Sequence, residues 1–163
     1  MARLYGYAPK GQRLVDFIPY GHWKTTTFVG GLTTRGIIAP MVLDGAMNAA
    51  AFTAYIEQVL AKETRPGDLL LLDNLPAHKT AGVRATLERS GIDYEYLPPY
   101  SPDLNPIENA FSKLKRLVRT AAERTVEGLW AAIGRLIDQI RPDECKNYFR
   151  HSGYHATKTR RTL

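Results

Sequence analysis

Four consecutive leucines, Leu69 to Leu72, run directly into Asp73-Asn74 and are entered through Pro66-Gly67. An apolar run this short, bounded by a breaker and a polar cluster, reads as a fully buried strand. A strand apolar on both faces must be covered on both, which commits the chain to a layered fold.

The flanking segments supply the layers. Asn48 is a helix N-cap, and Phe52, Tyr55, Ile56, Val59 and Leu60 recur as one buried helical stripe that Pro66-Gly67 stops. After the leucines, a helix near Thr80 to Arg89 ends at Gly91, and Ile92 to Leu97 is the next strand. Strand, helix and strand in so short a span imply a parallel pair with a right-handed crossover. That places Asp73 at the carboxyl end of a parallel strand, where open sheets carry ligands.

Upstream, residues 1–12 read as a loop and Arg13 to Ile18 as a short strand. His22 to Leu32 and Ile37 to Leu43 form a hairpin through Thr33-Thr34-Arg35-Gly36. Pro40 puts the second arm at a sheet edge or a bulge. Downstream, Pro98, Pro99, Pro102 and Pro106 make a stiff loop. Asn105 caps the next helix with Pro106 in its first position, and Ile107, Phe111, Leu114 and Val118 face the core. A last helix spans Thr125 to Ile140 with Val126, Leu129, Trp130, Ile133, Ile137 and Ile140 inward. Pro142 ends it, and Asp143 to Tyr148 add one turn. The pattern is α/β, with an α+β mixed sheet. Residues 1–150 make one domain, and residues 151–163 a basic, mobile tail.

Composition narrows the class. The 163 residues, 44% hydrophobic, suffice for one domain with a real core. No window approaches a membrane span, and the N-terminus MARLYGYAPKGQ lacks a signal-peptide core, so a cytoplasmic protein is expected. The single cysteine, Cys145, excludes an internal disulfide and is expected to be an inert packing residue. The net charge of +6 points to an anionic partner. Its distribution says more than its size: Lys113, Lys115, Arg116 and Arg119 crowd one helix, and Lys158, Arg160 and Arg161 lie in the tail. Clustered cations of this kind are the footprint of nucleic-acid binding; the plain alternative is a solvated helix face.

Two carboxylates carry the candidate chemistry, Asp73 at the strand end and Glu108 in the first turn of the basic helix. Each has an ordinary explanation. A turn aspartate satisfies nearby N–H groups, and Glu108 stands where a capping box places a glutamate. Against this, a hard divalent cation keeps several waters and needs only a few oxygens from separate elements. Glu108, Ser112, Lys115 and Arg119 also share a helical face, setting cations beside a carboxylate as a phosphate backbone requires. Asn74, His78 and Lys79 lie at the mouth of the same strand end and are expected, with Ser112 and the cations Lys113, Lys115, Arg116 and Arg119, to contact DNA. His22, His151 and His155 are too scattered for zinc, and no Gly-rich phosphate loop or Gly-x-Ser-x-Gly turn is present.

At these residues the chain resembles a known family. LLLLDNLPAHK, followed by LPPYSPDLNPIENAFSKLK, is similar to the catalytic domain of bacterial insertion-sequence transposases of the mariner-like superfamily. APKGQR, GHWKTTTFVGGL, GAMNAAAFTAYIEQVL and LWAAIGRLID extend the likeness over essentially the whole chain. The resemblance implies a ribonuclease H-like fold and an Asp-Asp-Glu triad with Asp73 second and Glu108 third. It also implies two Mg²⁺ or Mn²⁺ ions and DNA cleavage followed by strand transfer, with transposon ends and target DNA as partners. In that family the first aspartate lies on a first strand upstream of the segment resembling RLYGYAPKG. The expectation is therefore a chain without that strand, with neither Asp16 nor Asp44 in its place. The competing reading is a non-catalytic fragment that binds DNA or pairs with full-length transposase and regulates it; a homodimer is a further partner expected of the chain. An unrelated metal-dependent nuclease on the same fold is a third.

Overall fold

In a computed structural model, which describes residues 6–15 and 25–155, the leucine run forms β3 (Leu69–Leu72). It pairs in parallel with β4 (Asp93–Tyr96), Leu69 opposite Asp93 and Leu72 opposite Tyr96. The upstream hairpin is β1 (Thr26–Thr33) and β2 (Gly36–Asp44), antiparallel. The expected single mixed sheet is instead two two-stranded sheets among the described residues. One consequence corrects the reading of β3. With β4 as its one partner among the described residues, the run is not fully buried: Leu72 is, while Leu69 is 56% exposed.

The hairpin register slips by one residue between Val29 and Gly31, and Ala39, opposite the slip, takes φ 49° immediately before Pro40. Pro40 thus sits at a bulge, where its missing N–H breaks no ladder bond. The Tyr55 hydroxyl donates to the freed Ala39 carbonyl at 2.9 Å, and burial pushes the Tyr55 phenol well above its usual range.

Among the described residues, six helices cover the strands. α1 (Ala49–Tyr55) starts where the Asn48 side chain accepts from the Ala51 N–H at 2.9 Å, and continues through a π-helical stretch, Ile56–Leu60, into α2 (Ala61–Glu63). α3 (Ala81–Arg89) is capped by Thr80. α4 (Ile107–Ala121) and α5 (Val126–Leu136) follow, the latter capped by Thr125 and extended by a 3₁₀ turn, Ile137–Gln139. The single turn expected after Pro142 is a ten-residue helix, α6 (Pro142–His151). Pro142 opens it, because a first-turn proline loses no hydrogen bond.

Period-2 alternation in the hairpin serves two cores. Val29 and Met41 pack on Phe52, Ile56, Leu60, Leu72, Val83, Leu87 and Ile92. Phe28, Leu32, Ile37 and Val42 pack on Ala110, Leu114, Val118, Ile133, Ile140 and Cys145. The hairpin is therefore shared between α1 and the β3–β4 layer on one side and α4 to α6 on the other. Ile56, Val83 and Leu87 are wholly inaccessible, and each such aliphatic side chain contributes about 1.5–3 kcal/mol on burial. Cys145 is likewise buried, and desolvation raises its thiol pKa, matching a packing role.

Trp130, expected inward, is 36% exposed and donates its Nε1–H to Thr26 Oγ1 at 3.5 Å. Ala132 takes the buried place beside Ile133 instead. The boundary expected at residue 150 falls inside α6, beyond which Ser152 is buried and the Tyr154 hydroxyl donates to the Leu104 carbonyl at 2.9 Å. Residues 13–15 are irregular; the rest of the expected strand to Ile18, with Asp16, and His22, Lys158, Arg160 and Arg161 lie outside the described residues.

Candidate metal and phosphate site

Asp73 leaves β3 at its carboxyl end, and the backbone there is held from several sides. The Leu97 N–H donates to the Leu72 carbonyl at 2.8 Å, carrying the parallel ladder one step past β4. The Asn74 side-chain amide donates to the Leu97 carbonyl. The two strand ends are thus latched together by the residue next to the carboxylate.

The Asp73 side chain is anchored through one oxygen. Oδ1 accepts the Leu75 N–H at 3.1 Å, an Asx-type turn, and lies 2.8 Å from His78 Nδ1. No well-directed hydrogen bond forms at Nδ1, so the approach is a close polar contact. Its effect is still the largest on the carboxyl. The His78 contact holds Asp73 below the usual carboxylate range, partial burial opposes this, and the Leu75 N–H adds to it. Oδ2 has no partner among the described residues.

His78 is itself fixed. Its ring stacks on Phe52 at 4.1 Å, and its carbonyl accepts the Tyr96 hydroxyl at 2.8 Å. Its side chain is only 14% exposed, so it supports Asp73 from behind. Lys79 turns over the Tyr96 ring at 5.4 Å. Phe52 and Tyr96 were not legible as site residues, because each looks like a core aromatic until the helix and strand are packed.

Glu108 is exposed on the first turn of α4. The capping box that would explain it is not made. Pro106 occupies the cap position in helical geometry, with no side-chain cap, and Asn105 contributes only its carbonyl, which accepts the Glu108 N–H at 3.2 Å. The Glu108 carboxylate has no hydrogen bond or ion pair among the described residues. A glutamate does reach back to a helix cap elsewhere: Glu144 Oε2 accepts the Arg141 N–H at 3.0 Å.

From Glu108 the helix presents Ser112, Lys115, Arg116 and Arg119 to solvent, while Ala110, Leu114 and Val118 are buried. Lys113 departs from that face. Its Nζ donates to both Glu144 carboxylate oxygens at 2.7 and 2.6 Å and to the Gln139 carbonyl at 2.6 Å. With all three protons committed inside the protein, Lys113 ties α4 to α6. Ten residues, 97–106, lead from the latched strand ends to this helix.

The donor set suits a hard divalent cation: one unengaged Asp73 oxygen and a free Glu108 carboxylate, with cations downstream for phosphate. It is a partial set. No group of three or more His, Cys, Asp or Glu side chains converges among the described residues.

Comparison with known proteins bears on this arrangement. The family pattern described as DDE superfamily endonuclease matches residues 1–129. The transposable element Tc1 transposase of Caenorhabditis elegans is 27% identical over 154 residues, covering 84% of this chain and 56% of that protein. The chain thus spans about half the length of this curated relative. Among solved structures, the Mos1 strand transfer complex aligns with a TM-score of 0.50 at 23% identity, over 95% of this chain and 51% of the other. The Mos1 mariner paired end complex with Mn gives 0.50 and 23%, over 93% and 51%. These structural likenesses speak to the fold, a mixed α/β architecture of the ribonuclease H-like type.

Proposed function

The chain belongs to the DDE superfamily of endonucleases, and from that premise we propose that it forms the catalytic core of a Tc1/mariner-type transposase that cuts DNA and transfers the cut strand. The observation that carries the reading is the idleness of two carboxylates. Asp73 keeps Oδ2 open beside an anchored Oδ1, and Glu108 is unengaged at a helix start where a structural role was available. Open oxygens at a strand end and a helix start are available to a hard cation, Asp73 being held through its other oxygen and Glu108 through its backbone N–H.

In this reading Asp73 and Glu108 hold Mg²⁺ or Mn²⁺, two ions in the complete site. The chemistry such ions supply is activation of the attacking oxygen and stabilisation of the leaving one. The chain's own groups do the positioning. His78 and the Leu75 N–H fix the Asp73 carboxylate, and Asn74 latches its strand end to Leu97. Lys79, Ser112, Lys115, Arg116 and Arg119 receive the phosphate backbone. Lys113 keeps a structural role, and Asn74 and His78 act through Asp73 more than on DNA.

The complete triad has a further carboxylate, a first aspartate, and neither Asp16 nor Asp44 is given that role. The finer reading is a bacterial, cytoplasmic insertion-sequence protein acting as a dimer on transposon ends and target DNA; among the described residues no helix is long and apolar enough to cross a membrane.

The test is Mn²⁺-dependent nicking of supercoiled DNA by the purified chain, with and without a peptide carrying an Asp-Glu strand. Nicking that appears with the peptide, and is lost in Asp73→Ala and Glu108→Ala, is the expected result. Nicking unaffected by either substitution would refute the assignment. DNA binding with no nicking under any condition would favour the non-catalytic reading.

A further inference from the structure

A cleft that the carboxylate site does not use opens beside the β1–β2 turn. Between the β1–β2 turn and the end of α6 there is an open cleft of about 480 Å³, lined by Thr34, Lys146, Phe149, Arg150, Tyr154 and His155. Its floor is aromatic, the Phe149 and Tyr154 rings meeting edge to face at 6.0 Å and 76°. Its rim is cationic. Lys146, Arg150 and His155 are exposed and none is paired with a carboxylate among the described residues; Arg150 makes one bond, to Asn147 Oδ1 at 3.1 Å. Burial raises the Tyr154 phenol pKa and Glu95 adds to it, and the hydroxyl is already bound to the Leu104 carbonyl. The ring face, not the hydroxyl, is what the cleft offers.

An apolar floor under unpaired cations matches a ligand that is flat and apolar in one part and anionic in another. A nucleotide within a DNA strand has that division, its base stacking on an aromatic and its phosphate meeting Lys or Arg. The Tyr154–Leu104 bond also ties the cleft wall to the turn Pro102–Leu104, four residues before Glu108. We propose that this cleft seats one nucleotide of the bound DNA, its base against Phe149 and Tyr154 and its phosphate between Lys146 and Arg150. The inference rests on DNA being the partner of the carboxylate site, and adds a contact that sequence clustering did not reveal.

The experiment measures binding of a fluorescein-labelled single-stranded DNA oligonucleotide to the full chain by anisotropy across a salt series. EDTA is present throughout, so that metal chemistry plays no part. Lys146→Ala/Arg150→Ala should weaken binding roughly tenfold and lower the log–log salt slope by about 1.4, two single-strand phosphates at ~0.7 each. Phe149→Leu, which keeps an apolar side chain, should weaken binding roughly tenfold through lost stacking while leaving that slope unchanged. If Lys115→Ala/Arg119→Ala weakens binding but neither cleft variant does, the cleft proposal fails and the carboxylate-site reading stands. If the wild-type chain binds no DNA, both fail. If the cleft variants change the sedimentation coefficient and not DNA affinity, the cleft is a contact between copies of the chain and the proposal is overturned.

Discussion

His78 Nδ1 stands 2.8 Å from Asp73 Oδ1, and because the His78 ring is stacked on Phe52, the strand-end carboxylate is held by the core helix α1. The contact leaves Oδ2 free, so a catalytic reading and a structural one apply to different oxygens of the same group.

The first prediction follows from that contact. In His78→Leu the Asp73 carboxyl should titrate closer to its ordinary value, since the His78 contact is the largest cause of its depressed pKa. A group whose pKa is lower folded than unfolded stabilises the fold above its ordinary pKa, and that contribution is lost as pH falls through the folded value. The substitution should therefore reduce this acid-side dependence. Carboxyl-carbon NMR titration reads the shift directly; an unchanged Asp73 titration would remove His78 as its cause.

Lys113 and Lys115 should separate stability from DNA binding. Lys113→Met breaks three charge-assisted hydrogen bonds at a largely buried ammonium, and should cost about 2 kcal/mol in urea unfolding while barely changing DNA affinity. Lys115→Ala should do the reverse, with stability within about 0.5 kcal/mol of wild type and a salt slope reduced by about 0.7–0.9. Equal stability losses in both would contradict the division of roles.

Glu144 gives an acid limb of its own. The Lys113 contact is the largest cause of its lowered pKa, and the Arg141 N–H adds to it. The sign is again that of a depressed carboxylate: stability present above the ordinary glutamate range and lost as pH falls through the folded value. In Glu144→Gln that part of the pH dependence should vanish, leaving a flatter profile between neutral pH and the acid transition. Circular dichroism at fixed urea across pH measures it.

Ala122 ends α4 in left-handed geometry, φ 52° and ψ 32°, with its N–H on the Val118 carbonyl. An alanine there pays a Cβ penalty that glycine does not. Ala122 is exposed, so Ala122→Gly loses no packing and should raise stability by about 1 kcal/mol. A urea midpoint that stays put or falls would show that the chain relaxes out of this conformation.

Much of the local architecture was legible because its causes are local. The Asn48 cap, the helix starts near Thr80 and Thr125, and the hairpin turn at residues 33–36 follow from interactions reaching a few residues along the chain, and the parallel pairing of β3 with β4 follows from the short strand–helix–strand order. Asp73 and Glu108 stood out for the same reason, one ending an apolar run and the other opening an amphipathic helix.

Packing between distant elements decided the rest. Four cations crowd α4, and spacing alone gives them equal standing; only the docking of α6 assigns Lys113 to Glu144 and leaves Lys115, Arg116 and Arg119 outside. The leucine run does not reveal that Leu69 lacks a cover, nor does a helical stripe show that Trp130 lies at its edge. His78 became a support for Asp73 only when α1 brought Phe52 under its ring, and the cleft exists only where the β1–β2 turn meets the end of α6. Capping and periodicity act over i to i+4, and so are written along the chain. Which charge finds a partner, and which carboxylate is left without one, is settled by elements that meet only in the folded molecule.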